Sequence, residues 1–193
     1  LTQPRHPIVE AYRRLRTNLQ FYNLDTGLRT IMVTSAEAGE GKSLTSANLA
    51  VVMAQSGLKV ILVDADLRKP RQHTIFEVPR TPGLAEALIS GELSPDLLHP
   101  IEKAPGLSVL TCGELMPNPA EVLGSQRMKH TLKQLTDAAD IVIFDTPPLL
   151  AVTDAQIVGR MTDGALLVIN AERTSSGAVH RGLEALAQVN VPL

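Results

Sequence analysis

The sequence predicts one α/β domain: a doubly wound, mostly parallel sheet carrying a phosphate-binding loop. Three observations predict it. Short apolar, strand-like runs alternate with helix-length stretches along the whole chain. Two of those runs, Lys59–Val63 and Ile141–Phe144, lead directly into aspartates. A third, Arg29–Thr34, enters the loop Ser35–Ser43, SAEAGEGKS, which is followed by a helix-forming stretch, Leu44–Ser56, stopped at Gly57. Parallel strands deliver functional groups at their carboxyl ends, so the loop and the acids belong in one crevice.

The chain of 193 residues is long enough for one well-buried core, and 44% hydrophobic with 20% charged residues is ordinary for a globular protein. A net charge of -2 gives no support for nucleic-acid binding. Residues 1–30 nevertheless carry five arginines against Glu10 and Asp25. Such a basic arm suits anionic lipid or an acidic partner, although a solvated helix face is the simpler reading. Cys112 is the single cysteine, which excludes an internal disulfide and fits a reducing cytosol; its place at a strand end favours burial over reactivity. No stretch approaches 18 apolar residues and no signal peptide is present, so the segment is expected to be soluble. It begins at Leu1 and ends at Val191-Pro192-Leu193, which reads as the entry to another strand. Both ends read as cuts in a longer protein.

Residues 1–7, with two prolines, are expected to be an extended lead-in. From Ile8 the apolar positions Ile8, Tyr12, Leu15, Leu19 and Tyr22 are spaced as one helical stripe. Beside it Glu10, Arg13 and Arg16 recur every third residue. They span roughly 120° of the helix at 100° per residue. An acid and two forked cations suit pairing with a second copy, but on spacing alone intrahelical pairing in solvent is favoured.

In the loop, glycines at 39 and 41 let backbone N–H groups turn toward an anion, Lys42 adds a mobile positive charge, and the Ser43 hydroxyl suits a magnesium ion. Ala38, Gly39, Glu40, Gly41, Lys42, Ser43 and Leu44 are therefore the expected nucleotide contacts. Ala36 stands where G-x-x-x-x-G-K-[ST] has its first glycine, which is tolerable if that position needs no positive φ. A glycine turn with an incidental lysine is the competing reading, and the strand before and helix after argue against it.

The second strand ends in Asp64-Ala65-Asp66, two carboxylates close enough for one to hold a metal-bound water while the other positions a hydroxyl; a turn with a helix cap is the alternative. Residues 71–106, punctuated by five prolines, are the least legible, with one short helix expected over Leu84–Ile89 before Gly91. A strand is expected over Gly106–Thr111, a rigid turn at Met116–Pro119, and helix over 120–138 with a break near Gly124-Ser125. Asp145 ends a doubly buried strand, where P-loop nucleotidases place a carboxylate near magnesium, and Pro147 and Pro148 stop that strand. Asp154 is expected to cap or open a short helix through Arg160, with a strand over Gly164–Asn170 and a helix over Ser175–Val189. The five histidines lack metal-ligand spacing.

EAYRRLRTNLQF at 10–21, SAEAGEGKS at 35–43, VILVDADLRKP at 60–70 and IVIFDTPP at 141–148 together resemble the cytoplasmic catalytic domain of bacterial tyrosine kinases of capsule and exopolysaccharide export. TPGLAEALISG at 81–91 and CGELMPNPAEVL at 112–123 add to the likeness, with Met116 standing where the family often has proline. The resemblance implies ATP and Mg2+ as cofactors, with Lys42 on the β/γ-phosphates, Ser43 and Asp145 at the metal, and Asp64 and Asp66 as the family's extra acidic motif. Asp64 would be a metal residue and the acceptor of the tyrosine proton. It makes Glu10, Arg13 and Arg16 a subunit-contact motif, which reverses the reading from spacing. It further implies a homo-oligomer, possibly a ring, phosphorylating the tyrosine-rich tail of a neighbouring subunit. A membrane polysaccharide copolymerase, in cis or in trans, would place the domain at the inner face of the cell membrane. The only tyrosines are Tyr12 and Tyr22 on the first helix, so this segment is expected to be a poor substrate for itself. Two alternatives remain: a MinD/ParA-like ATPase switch, disfavoured because Ser35 and Ala36 supply no early lysine, and a nucleotide-binding regulatory module.

Overall fold

The computed structural model describes residues 7–191, the side chains of 22–26 excepted. The extended lead-in, Tyr22 on the helical stripe and the final strand entry at 192–193 lie outside the described residues. A helix, α1 (Pro7–Thr26), precedes β1 (Thr30–Ser35), α2 (Lys42–Ala54) and β2 (Val60–Asp64). Then come α3 (Gln72–Phe76), α4 (Leu84–Ser90), β3 (Leu98–Pro100) and β4 (Leu107–Leu110). The chain continues through α5 (Pro119–Leu123), α6 (Gln126–Ala138), β5 (Ile141–Asp145), α7 (Asp154–Gly159), β6 (Gly164–Val168) and α8 (Ser176–Ala187).

The six strands lie in the order β3-β4-β2-β5-β1-β6, all neighbours parallel except β3 against β4. β1, β2 and β5 are buried along their whole length, as strands covered on both faces must be. Alternate residues supply two separate cores: Ile31 and Val33 pack with α2 on one face, while Met32 joins the opposite one. Tyr12, Leu15 and Leu19 of α1 pack on the α2 side as the helical stripe predicts, but Ile8 is exposed and its neighbour Val9 is buried instead, so the stripe is shifted by one residue at its start. The other face is covered by residues of α4 through α8.

The illegible segment 71–106 forms α3, α4 and β3. β3 escaped notice because it is three residues long and contains Pro100, whose missing N–H is acceptable only on an edge such as this one. The break at Gly124-Ser125 is real: Ser125 caps α6 by accepting the N–H of Met128 at 3.2 Å. Cys112 is buried, and burial pushes its thiol up to about 12, so it is a packing residue.

Two sequence stretches that looked unconnected are clamped together by Glu86. Its Oε2 accepts the N–H of Gly83 at 2.6 Å and its Oε1 the N–H of Glu114 at 3.1 Å. The backbones approach so closely that a Cβ on Gly83 would lie 2.3 Å from the Thr111 carbonyl oxygen and 2.5 Å from the Gly113 nitrogen. Gly83→Ala is therefore expected to cost about 2 kcal/mol through overpacking. Urea unfolding checks it: the midpoint should fall with the slope unchanged.

Candidate active site

The site is assembled where three strands end side by side. β5 lies between β1 and β2, and Asp64 and Asp145 occupy adjacent positions in the register. β1 runs into the loop at 36–41, and α2 begins at Lys42. Gly39 and Gly41 have φ of +84° and +89°, the left-handed conformations that turn successive N–H groups inward. Ala36 is not among the residues with positive φ, so the methyl group is tolerated. Gly182 of α8 packs beside it: a Cβ there would lie 3.5 Å from that of Ala36, an ordinary van der Waals contact.

Lys42 Nζ donates to Asp66 Oδ2 at 2.8 Å, lies 3.5 Å from Asp145 Oδ1, and donates to Ser43 Oγ at 3.3 Å. Burial works against this ammonium, but Asp145, Asp66 and Asp64 outweigh it and hold its pKa above the ordinary value. Burial and the neighbouring charge of Asp145 push Asp64 up to about 7. Asp145 is also raised, by burial, against the opposing pull of Lys42. Three carboxylates thus face one ammonium in a dry pocket, an imbalance that calls for further positive charge.

Each acid is half-committed to local structure. Asp64 Oδ2 accepts the N–H groups of Arg71 and Gln72 at 2.9 and 2.8 Å, opening α3. Asp66 Oδ1 accepts the N–H of Lys69 at 3.0 Å. The turn-and-cap reading of this pair is met by Asp64 Oδ2 and Asp66 Oδ1, which leaves the other oxygen of each acid free of local structure. What remains is Oδ1 of Asp64 and Oδ1 of Asp145, both buried without a hydrogen-bond partner. An unmet buried acceptor costs about 1–3 kcal/mol. Two such oxygens on adjacent strands beside the Ser43 hydroxyl suit a hard divalent cation, which takes one or two carboxylates and completes its shell with phosphate and water. Among the described residues no set of three or more His, Cys, Asp or Glu forms a dedicated metal cage, as expected for such a shared site.

Sequence reasoning missed two contributors. Gln72 is fully buried, and its Nε2 reaches Asp145 Oδ2 at 2.7 Å, the Ser43 carbonyl at 3.0 Å and Ser46 Oγ at 3.1 Å. It lay in the proline-rich stretch with no motif to mark it. Arg68 forks onto the fully buried Asp154 at 2.8 and 3.0 Å, tying the loop after β2 to α7. Asp154 does open a helix, as expected, but its carboxylate serves Arg68. In the phosphate loop Glu40 accepts from the Thr174 hydroxyl and from the N–H of Glu37, the latter at 2.8 Å.

The subunit-contact candidates lie elsewhere, on α1. Arg13 pairs with Glu10 at 3.5 Å within the helix, and Arg16 donates to the Val52 carbonyl of α2 at 3.0 Å. Among the described residues no helix is long and apolar enough to cross a membrane.

Loop, lysine and strand-end carboxylates define a P-loop nucleotide-binding protein of the magnesium-dependent kind. The ParA family model, described as NUBPL iron-transfer P-loop NTPase, matches residues 28–193. The chain is 47% identical over 187 residues to tyrosine-protein kinase YwqD of Bacillus subtilis, covering 97% of this chain and 78% of that protein. It is 39% identical to tyrosine-protein kinase etk of Escherichia coli K12, of whose length it spans 26%. The solved kinase domain of the latter superposes with a TM-score of 0.93 over 98% of this chain and 74% of that one. The cell-division ATPase MinD of Pyrococcus furiosus, at 24% identity and a TM-score of 0.71 over 85% of this chain and 68% of that one, shares the fold alone. The chain belongs to the bacterial tyrosine-protein kinases, a branch of the ParA-type P-loop NTPases, and is an enzyme of that class.

The Arg68–Asp154 fork yields a test of how the two acidic loops are held. Arg68→Ala strands a buried carboxylate, but its guanidinium is partly solvated, with 41% of the side chain exposed. The cost is therefore expected at about 2 kcal/mol, below the 3–5 of a fully buried pair. A melting point lower by about 6 °C in a thermal scan checks it.

Proposed function

We propose that the site transfers the γ-phosphoryl group of ATP to a tyrosine in the tail of a neighbouring subunit, and that this cycle controls polysaccharide polymerisation and export. One observation carries the chemistry: Lys42, Asp64, Asp66 and Asp145 converge beside the phosphate loop with two carboxylate oxygens that accept no hydrogen bond. Loop N–H groups from Ala38 to Leu44 cradle the phosphates. Lys42 exchanges Asp66 for the β/γ-phosphate oxygens. Ser43, Asp64 and Asp145 hold Mg2+, which when bound neutralises charge on the transferring group.

The phenolic oxygen forms the new bond to phosphorus, the bond to the β-phosphate oxygen breaks, and ADP leaves. The phenolic proton passes to Asp64, with Asp66 positioning the hydroxyl. Little covalent chemistry falls to the protein, so positioning and charge suffice. Tyr12 is partly buried against the core, which supports an acceptor tyrosine from outside this segment. A membrane copolymerase partner, in cis or in trans, and a place at the inner face of the membrane complete the reading. The MinD-like switch is not favoured, because Ser35, Ala36 and Glu37 include no early lysine.

With ATP, Mg2+ and a tyrosine-rich tail peptide, the chain is expected to yield phosphotyrosine. Lys42→Met should lower the rate by about 100-fold or more. Absence of product from the wild type, or an unaffected variant, overturns the kinase assignment. For assembly, Glu10, Arg13 and Arg16 of one α1 contact a second copy. Light scattering should show a smaller mass for Arg13→Ala with Arg16→Ala, and for Arg13→Ala alone, which spares the Val52 contact. An unchanged mass sinks the interface.

A further inference from the structure

Gln72 is fully buried, yet it belongs to no phosphate-binding or acidic motif. Its amide orientation is decided by chemistry: a carboxylate oxygen of Asp145 and the carbonyl of Ser43 are pure acceptors, so nitrogen must face them. Its backbone N–H serves Asp64 Oδ2 at the same time. One residue therefore bonds the Oδ2 atom of both carboxylates, on Asp64 together with the Arg71 N–H, and leaves both Oδ1 atoms without a hydrogen bond, that of Asp145 having only the Lys42 ammonium at 3.5 Å. Its own Oε1 is a third buried acceptor without a partner. Through Ser43 and Ser46 it also couples this arrangement to the first turn of α2, where the phosphate loop ends.

We propose that Gln72 is the positioning residue of the metal site. Its side chain pins Asp145 in the orientation that presents Oδ1 to a divalent cation. Partners of this kind, which orient a ligand without binding the metal, change metal affinity by about 10–100-fold when removed. The inference rests on the magnesium-nucleotide reading above, and its test separates the two.

The 193-residue chain is titrated with ADP by calorimetry, first in EDTA and then at increasing MgCl2, for the wild type, Gln72→Leu and Gln72→Ser. The wild type should bind ADP more tightly as Mg2+ rises. Both variants should need about tenfold more Mg2+ for half of that gain. Their ADP affinity in EDTA should stay within about twofold of the wild type, a split that loss of packing alone would not produce. Equal Mg2+ requirements in variant and wild type overturn the role of Gln72 and leave the metal site standing. If ADP affinity in EDTA falls as far as the Mg2+-dependent gain in both variants, the amide holds the fold and not the carboxylate, and the proposal fails. A wild type whose ADP affinity ignores Mg2+ overturns the metal reading itself.

Discussion

Everything in this structure depends on keeping two aspartates, Asp64 and Asp145, side by side and out of water. Like charges on neighbouring strand ends repel, and burial removes the solvent that would screen them. The protein holds them by supplying compensation from three directions. Lys42 approaches from the phosphate loop, backbone N–H groups arrive from the start of α3, and the Gln72 amide closes over the top. Remove the parallel sheet that sets Asp64 against Asp145 in register, and none of those donors has anything to meet.

The compensation is incomplete, and that is the functional point. Lys42 donates a hydrogen bond to Asp66 and approaches Asp145 Oδ1 only at 3.5 Å, so that oxygen and Asp64 Oδ1 accept no hydrogen bond. A fully satisfied network would be a stable core feature with no reason to accept a ligand. The resting ion pair also keeps the lysine extended toward the strand ends, near where a terminal phosphate must lie. Opposite this crevice the α1–α2 layer is built separately, with its own core on the other face of the sheet. The proposed contact motif on α1 and the strand-end carboxylates thus lie on different parts of the fold.

Much of this was legible because local chemistry and periodicity agreed. The loop announced itself by glycine, lysine and serine between a strand and a helix. Asp64 and Asp145 were visible because each follows an uninterrupted apolar run, and only a strand end gives an acid that context. The middle of the α1 stripe, Tyr12, Leu15 and Leu19, was correctly assigned to the core while Ile8 was not, and the pairing of Arg16 with Val52 was not visible, since a carbonyl acceptor leaves no mark in sequence. α3 and β3 were missed because helices and strands of three to five residues carry too few turns or alternations to show a period.

The sequence alone therefore determined the order of the longer elements, the phosphate loop, the acids at the strand ends and the family. These are encoded by residues close together in the chain, where spacing and side-chain type speak directly. Only the tertiary structure decided which oxygen of each acid accepts a hydrogen bond and which does not, that Arg68 reaches Asp154, and that Gln72 donates to Asp145. Those two contacts join residues 86 and 73 positions apart in the chain. Packing and burial bring them together, and no local pattern can specify a hydrogen bond whose partner lies across the sheet.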